Sequence, residues 1–159
     1  MKRKLSVAIA LAAIVLVVLA VAAWGKGKSH SRGDSRGGKV VTVIEHQTGV
    51  ATTDTGAPGD SPGDLLTFAN DVFNAKDTAK VGTDQGYCVR TVAGTAFECN
   101  QTTFLPKGQI TVEGPFYDAK NSTLAITGGT GRYRNARGFM ELKSMAGGAK
   151  FKLVFHIIG

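Results

Sequence analysis

The stretch YCVRTVAGTAFECNQTTF (87–104) decides the fold class, because it holds two short runs of strand-forming residues around a turn. Residues 87–92 and 95–104 have the length of strands and are rich in β-branched and aromatic side chains. The Ala93-Gly94 pair between them is typical of a tight turn that joins antiparallel strands. The stretch therefore predicts a β-hairpin.

The chain on both sides of this hairpin follows the same pattern. Further runs predict strands at 39–47, 109–114, 122–127, 132–143 and 150–158. Residues 65–73 fit a strand or a helical turn, and the order of their side chains does not choose between the two. No long amphipathic helix is predicted after residue 75. Short, closely spaced strands joined by Gly-containing turns indicate an all-β sandwich or a closed barrel.

Two segments interrupt this pattern of strands. Residues 49–64 concentrate Gly, Pro, Asp and Thr, which predicts a long loop, and loops of this length are often functional. The glycine-rich TGGTGRYRNARG (127–138) has the composition of a phosphate-binding loop, but no helix follows it. It predicts instead a tight hairpin that needs positive φ, with Gly138 at a bulge or barrel corner of the next strand.

The first 24 residues predict an export segment. Residues 1–4 are basic, and 5–24 form an uncharged apolar run that is long enough to span a bilayer as a helix. Ala20 and Ala22 resemble a signal-peptide cleavage site, so a cleaved signal peptide and a membrane anchor both fit. Residues 25–38 predict a flexible basic linker. Residues 39–159 are then the folded domain, located outside the cytoplasm and either secreted or anchored in the cell membrane.

The positive charge of the chain is concentrated outside the predicted domain. The net charge is +7, and eight of the 19 Lys and Arg residues lie within residues 1–39. Residues 40–159 retain 11 basic and 11 acidic side chains, so this part of the chain is neutral. A neutral domain lacks the basic surface that nucleic acids require. No nucleic-acid partner is therefore predicted.

The two cysteines allow one disulfide and no disulfide scaffold. A two-residue turn at Ala93-Gly94 would place Cys88 opposite Cys99 as a hydrogen-bonded pair, whose wide spacing suits a disulfide poorly. Two separate thiols, at least one of them buried, are the favoured interpretation. The three histidines, His30, His46 and His156, have no partner at ligand spacing. No metal site is predicted.

Several segments resemble the plant allene oxide cyclases when they are taken together and in order. They are SPGDLLTFANDVFN (61–74), GYCVRT (86–91), GQITVEGPF (108–116) and LAITGGTGRY (124–133). The overlapping segment GGTGRYRNARG (128–138) is equally similar to the dirigent proteins of the same superfamily. The resemblance covers about residues 39–159. It implies an eight-stranded antiparallel β-barrel with an apolar cavity, often assembled as a homotrimer, and an isomerase reaction that needs no cofactor.

The resemblance also implies roles for particular residues. Glu45 matches the first-strand glutamate that favours a charge-delocalised intermediate, and Asn70 matches an asparagine of the site. Gln47 stands where the family has a second asparagine that helps to hold a water molecule. These three are the predicted catalytic residues, and they act by positioning and by charge in an apolar cavity.

Three further residues are predicted to line the substrate cavity. Cys88 matches the cysteine of the family's G-x-C-V segment. Asp54 aligns directly with a loop proline of the family, whereas Pro58 reaches that place only if the loop is shifted.

Three functions follow from this interpretation. The first is cyclisation of an apolar, oxylipin-like substrate. The second is dirigent-like steering of phenoxy-radical coupling, for which Glu45 and Asp54 are the candidate acidic side chains in the cavity. The third is a secreted carrier of small apolar ligands, because apolar cavities bind ligands readily and a fold does not fix a function.

Overall fold

The computed structural model describes residues 38–158, which form nine β-strands. Their bounds are β1 Lys39–His46, β2 Val50–Thr53, β3 Leu65–Asn74, β4 Lys80–Val92, β5 Ala96–Leu105, β6 Gly108–Tyr117, β7 Ser122–Gly129, β8 Arg137–Met145 and β9 Lys150–Ile158. The predicted export segment and all but the last residue of the predicted linker lie outside the described residues. Within residues 38–158, no helix has the length and hydrophobicity to cross a membrane.

Eight of these strands close an antiparallel barrel. From β3 to β9 each strand pairs with the next one in the chain, and β1 pairs with both β9 and β3 to close the ring. The short β2 is an extra strand. It pairs with the first residues of β3, on the same edge where β1 pairs with the last residues of β3. The predicted all-β, eight-stranded barrel is thereby confirmed for the described residues, and β2 is an addition to it.

The core fills the barrel because alternate side chains on every strand point inward. The side chains with the least solvent exposure include Val72, Ile110, Val112, Leu124, Met140, Leu153 and Phe155. Ile44 is also buried, although it points outward between the inward-facing Val43 and Glu45. The turn between β3 and β4 folds back towards this outer face, where Asp77 contacts His46 and Lys150.

The strand boundaries differ from the sequence predictions at several places. Residues 50–53 were expected in a loop, but they pair with β3 although all four are exposed, so no apolar alternation marks them. The ambiguous segment 65–73 is strand, and β4 begins at Lys80 rather than 87, in a polar stretch held by pairing with β3. Residues 131–133 form a 3₁₀ turn, and strand structure resumes only at Arg137.

The glycine-rich segment makes the tight turn that its sequence predicts. Gly131 has a φ of 58°, which a glycine adopts without strain. Gly138 has a φ of 123°, but β8 pairs with β9 through this residue without a shift. A Cβ at this position would overlap the carbonyl oxygen of His156. Gly138 therefore permits a close approach of two strands rather than a bulge.

The two cysteines form a disulfide, which corrects the interpretation as separate thiols. Cys88 does face Cys99, as expected. However, the turn contains three residues, and a register shift between Arg90 and Val92 compensates for the additional one. The shift makes the cysteines a non-hydrogen-bonded pair, and their Cα atoms lie 4.0 Å apart. The Cα atoms of a hydrogen-bonded pair are farther apart.

Candidate active site

The barrel contains a largely apolar cavity that opens at the end where β1 leads into β2. Its apolar lining consists of Val50, Leu66, Phe68, Cys88, Phe97, Cys99, Phe116, Leu124, Leu142 and Phe151. Its polar lining consists of Glu45, Gln47, Asn70 and Gln101. Such a cavity suits a small apolar ligand with a few polar atoms.

Glu45 and Asn70 meet at the inner end of this cavity. Both point inward from adjacent strands, and Glu45 is only 4% exposed. The side-chain oxygen of Asn70 accepts hydrogen bonds from the backbone amides of Thr48, at 2.9 Å, and Gly49, at 3.1 Å. These two bonds fix the amide group, so its Nδ2 donates to Oε1 of Glu45. Asn70 thus shapes the turn after β1 and orients the carboxyl group.

Asp84 is a second carboxyl group at the same place, and it was missed by the sequence analysis. It lies on β4 directly opposite Asn70 and is 1% exposed. Gln101 donates from Nε2 to its Oδ2 at 2.8 Å. We refer to Glu45, Asn70, Asp84 and Gln101 as the polar cluster.

Both carboxyl groups of the polar cluster hold their protons more tightly than free side chains do. Burial, followed by the negative charge of Glu45, raises the pKa of Asp84 to about 8. Burial also raises the pKa of Glu45, whereas its hydrogen bonds with Asn70 and Asp84 act in the opposite direction. Oδ1 of Asp84 is buried without a donor among the described residues. A proton on Asp84 therefore reduces the repulsion between the two carboxyl groups near neutral pH.

The other predicted site residues fall into two groups. Gln47 lies exposed at the mouth of the cavity, and Cys88 lies in its wall as half of the disulfide. Asp54 and Pro58 lie exposed in the loop after β2, and neither lines the cavity. Oδ2 of Asp54 instead accepts a hydrogen bond from the backbone of Gly59 at 2.9 Å, which stabilises the loop itself.

A buried arginine attaches this loop to the barrel near the cavity. The guanidinium of Arg90 stacks 3.6 Å from the ring centroid of Phe97, a residue of the cavity wall. Its Nη1 donates to both carboxylate oxygens of Asp118, at 2.9 and 2.7 Å. Its Nε lies 2.6 Å from Asp60 in the loop. Arg90 therefore joins two loops and one cavity-lining ring.

The local sequence gives only a weak signal for Asp84. Asp84 lies in the polar stretch TDQG (83–86), which resembles a loop until its pairing with β3 and β5 is known. Its alternation with Cys88 was the available signal, because residues four apart on a strand share a face.

Among residues 38–158 no cluster of His, Cys, Asp and Glu side chains is arranged to bind a metal ion.

The fold and the site define a small β-barrel protein with a buried carboxyl pair beneath an apolar cavity. A family model described as the allene oxide cyclase barrel like domain matches residues 44–155, and the chain belongs to this family.

Solved structures of known proteins share the fold. A pyocyanin demethylase is 28% identical, with a TM-score of 0.68, and the match covers 76% of this chain and 100% of that chain. An exo-specific intermolecular Diels-Alderase is 14% identical, with a TM-score of 0.64 and coverages of 77% and 98%. A pterocarpan synthase dirigent protein is 15% identical, with a TM-score of 0.59 and coverages of 76% and 87%.

Proposed function

We propose that this protein is a cofactor-free isomerase that cyclises a small, apolar, oxygen-containing substrate of the oxylipin type inside the barrel. The observation that carries the proposal is the carboxyl pair of Glu45 and Asp84, which is buried beneath an apolar cavity. Burying two carboxyl groups costs stability, and such groups are frequently retained for chemistry.

The polar cluster suits a reaction that passes through a positively charged, delocalised intermediate. When an allene oxide opens, the C–O bond breaks, its electron pair stays on the oxygen, and positive charge spreads over the carbon chain. The negative charge on Glu45 stabilises that positive charge in a cavity of low polarity. Asn70 fixes the carboxyl group by its hydrogen bond, and the apolar wall holds the chain folded for ring closure.

Stereochemical outcome is the sharpest test of this proposal. The full chain is mixed with a freshly generated fatty-acid allene oxide, and the cyclopentenone enantiomers are resolved by chiral chromatography. Uncatalysed closure gives a racemate, so we expect an enantiomeric excess with the protein. Glu45→Gln should reduce the excess at least tenfold. Glu98→Gln makes the same chemical change on the exposed outer face of β5 and should leave the excess unchanged.

A racemate from the wild-type protein would contradict the cyclase proposal for this substrate. An excess that persists in Glu45→Gln would contradict the role of the carboxyl pair. If the wild-type protein gives a racemate, the other two hypotheses are tested next. Oxidase-driven coupling of coniferyl alcohol tests the dirigent hypothesis, and binding of pyocyanin tests the carrier hypothesis. Pyocyanin is the probe because the demethylase named for it is similar over its full length, and because four Phe side chains line the cavity.

We also propose that the protein works outside the cytoplasm, either secreted or anchored in the cell membrane. The predicted export segment supports this location, and so does the Cys88–Cys99 disulfide, because disulfides persist mainly in oxidising compartments. Fractionation of expressing cells tests it, and recovery of the protein only in the cytosol would contradict it.

A further inference from the structure

The end of the barrel opposite the cavity mouth carries a cluster of basic side chains. β1 begins at this end, where it meets the β5–β6 turn, the β7–β8 connection and the last residues of β9. The exposed side chains there are Lys39, Lys107, Arg132, Arg134 and Arg137, and we call them the basic end.

Negative charge is absent from these segments. Residues 38–40, 105–109 and 129–138 contain no Asp or Glu. None of the five cations pairs with a carboxylate of the described residues. Residues 40–159 carry equal numbers of basic and acidic side chains, so the cations at this end are balanced by acidic side chains elsewhere in the barrel. Asp54, Asp60 and Asp118 lie in the loops around the cavity mouth.

Backbone and side-chain contacts hold the basic end in a defined shape. The amide of Arg132 donates to the carbonyl oxygen of Lys107 at 2.8 Å, which joins two turns. Nζ of Lys39 lies 4.7 Å from the ring centroid of Tyr133, which anchors β1 to the same surface. Arg137 donates from Nη1 to the carbonyl oxygen of Ala136 at 2.8 Å. The positive charges are therefore presented together.

An apolar cleft opens beside these charges. It is lined by Val41, Val43, Val81, Leu105, Pro106 and Tyr133, with Lys39 and Lys107 at its rim. Ile158 at the end of β9 is 60% exposed. An open apolar cleft and the exposed side chain of Ile158, next to clustered cations, match a bilayer surface, which offers anionic headgroups and hydrocarbon at adjacent depths.

We infer that the basic end binds the surface of a bilayer that contains anionic phospholipids. A soluble polyanion would satisfy the five cations but would leave the cleft and Ile158 without a partner, so the lipid surface fits the whole patch better. In this orientation the cavity mouth points away from the bilayer and stays open to water. The inference does not depend on the reaction in the cavity.

Hydrogen exchange tests the contact on the full chain. The protein is placed in nanodiscs of phosphatidylcholine alone or mixed equally with phosphatidylglycerol. We expect amides of residues 129–138 and 105–109 to exchange at least threefold more slowly in the anionic discs. The loop 54–64 at the cavity mouth should exchange equally in both. High salt should remove the difference, since it screens exposed charges.

A pair of charge-reversed variants provides the control. Arg132→Glu/Arg134→Glu should abolish the lipid dependence, whereas Lys120→Glu/Lys152→Glu reverses two exposed lysines elsewhere and should preserve it. If the first variant misfolds, the wild type alone tests the inference: its slower exchange in the anionic discs must disappear at high salt. Equal exchange in both discs would overturn the inference, and so would equal protection by soluble polyphosphate added to the neutral discs.

Discussion

Glu45 and Asp84 are two carboxyl groups that the barrel removes from water at the same place. Two ionised carboxylates this close would repel each other in a medium of low polarity, so the pair retains a proton. Asn70 and Gln101 supply one amide donor to each carboxyl group. These neutral donors satisfy buried oxygens without placing a positive charge beside the carboxyl pair.

The raised pKa of Asp84 predicts how stability depends on pH. Since the folded pKa of Asp84 is about 8, against 3.8 for the free side chain, the folded state holds a proton that the unfolded chain releases. The associated stability is complete below pH 4 and is lost as the pH rises to about 8. We expect the free energy of unfolding to fall by on the order of 1 kcal/mol per pH unit within this range.

Urea unfolding from pH 5 to 9 measures this slope. Asp84→Asn should reduce it and leave only the part that comes from the raised pKa of Glu45. Asp64 and Asp77 have lowered pKa values, so their contributions change only at more acidic pH and do not affect this range. An equal slope in wild type and Asp84→Asn would contradict the raised pKa of Asp84. Asp71→Asn, which changes a more exposed carboxylate beside Lys80, is the matched control.

At the scale of elements, the β4–β5 hairpin supplies most of the features that shape the site. It carries Asp84, both cysteines, Arg90 and Phe97. Its disulfide lies in the cavity wall, so it both closes the hairpin and contributes apolar surface to the cavity.

Removing the disulfide should destabilise the barrel without changing its fold. Cross-linking residues 11 positions apart restricts the unfolded chain, an effect worth about 2 to 3 kcal/mol. We expect Cys88→Ser/Cys99→Ser to lose this amount in urea unfolding, and a reductant to do the same to the wild type. The double variant should not respond to the reductant. A loss below about 0.5 kcal/mol would show that the hairpin is restrained by other contacts.

Arg90 is the connection between the loop after β2 and the rest of the barrel. Arg90→Lys keeps the charge, but its single ammonium nitrogen cannot contact both Asp118 and Asp60, which Nη1 and Nε of Arg90 contact separately. We expect a loss on the order of 2 kcal/mol in stability and faster hydrogen exchange in residues 54–64. Lys120→Gln is a control at a neighbouring exposed cation. Unchanged exchange in the loop would contradict this role of Arg90.

At the scale of the whole molecule, the outer wall of the barrel exposes a row of apolar and aromatic side chains. Val40, His156 and Phe139 lie side by side across three strands, and Phe139 stacks on His156 with ring centroids 4.5 Å apart. Exposed apolar rows of this kind suit contact between copies of a chain. The resemblance to the superfamily implies a homotrimer.

We therefore expect the protein to sediment as a trimer in detergent solution, and Phe139→Asp to dissociate it. A charge at an apolar contact is costly to desolvate, whereas it is tolerated on a free surface. The control is Glu141→Gln, which changes the next side chain on the same outer face of β8. A monomeric wild type at micromolar concentration would contradict the trimer.

The sequence by itself determined the fold class, because strand length, alternation and turn residues are local properties that a barrel repeats. It also predicted the positions of Glu45 and Asn70 through resemblance, and the structure brings these two residues into contact. β2 was not predictable, because its four exposed residues form a strand only through the free edge of β3.

Only the tertiary structure decided the carboxyl pair and the disulfide. Asp84 becomes a buried acid because strand pairing places it opposite Asn70 and beside Glu45, which is distant in the chain. The cysteines come close enough to bond because a register shift compensates for the longer turn. Both outcomes depend on which strands pair and in what register, and pairing between distant segments leaves no local mark in a sequence.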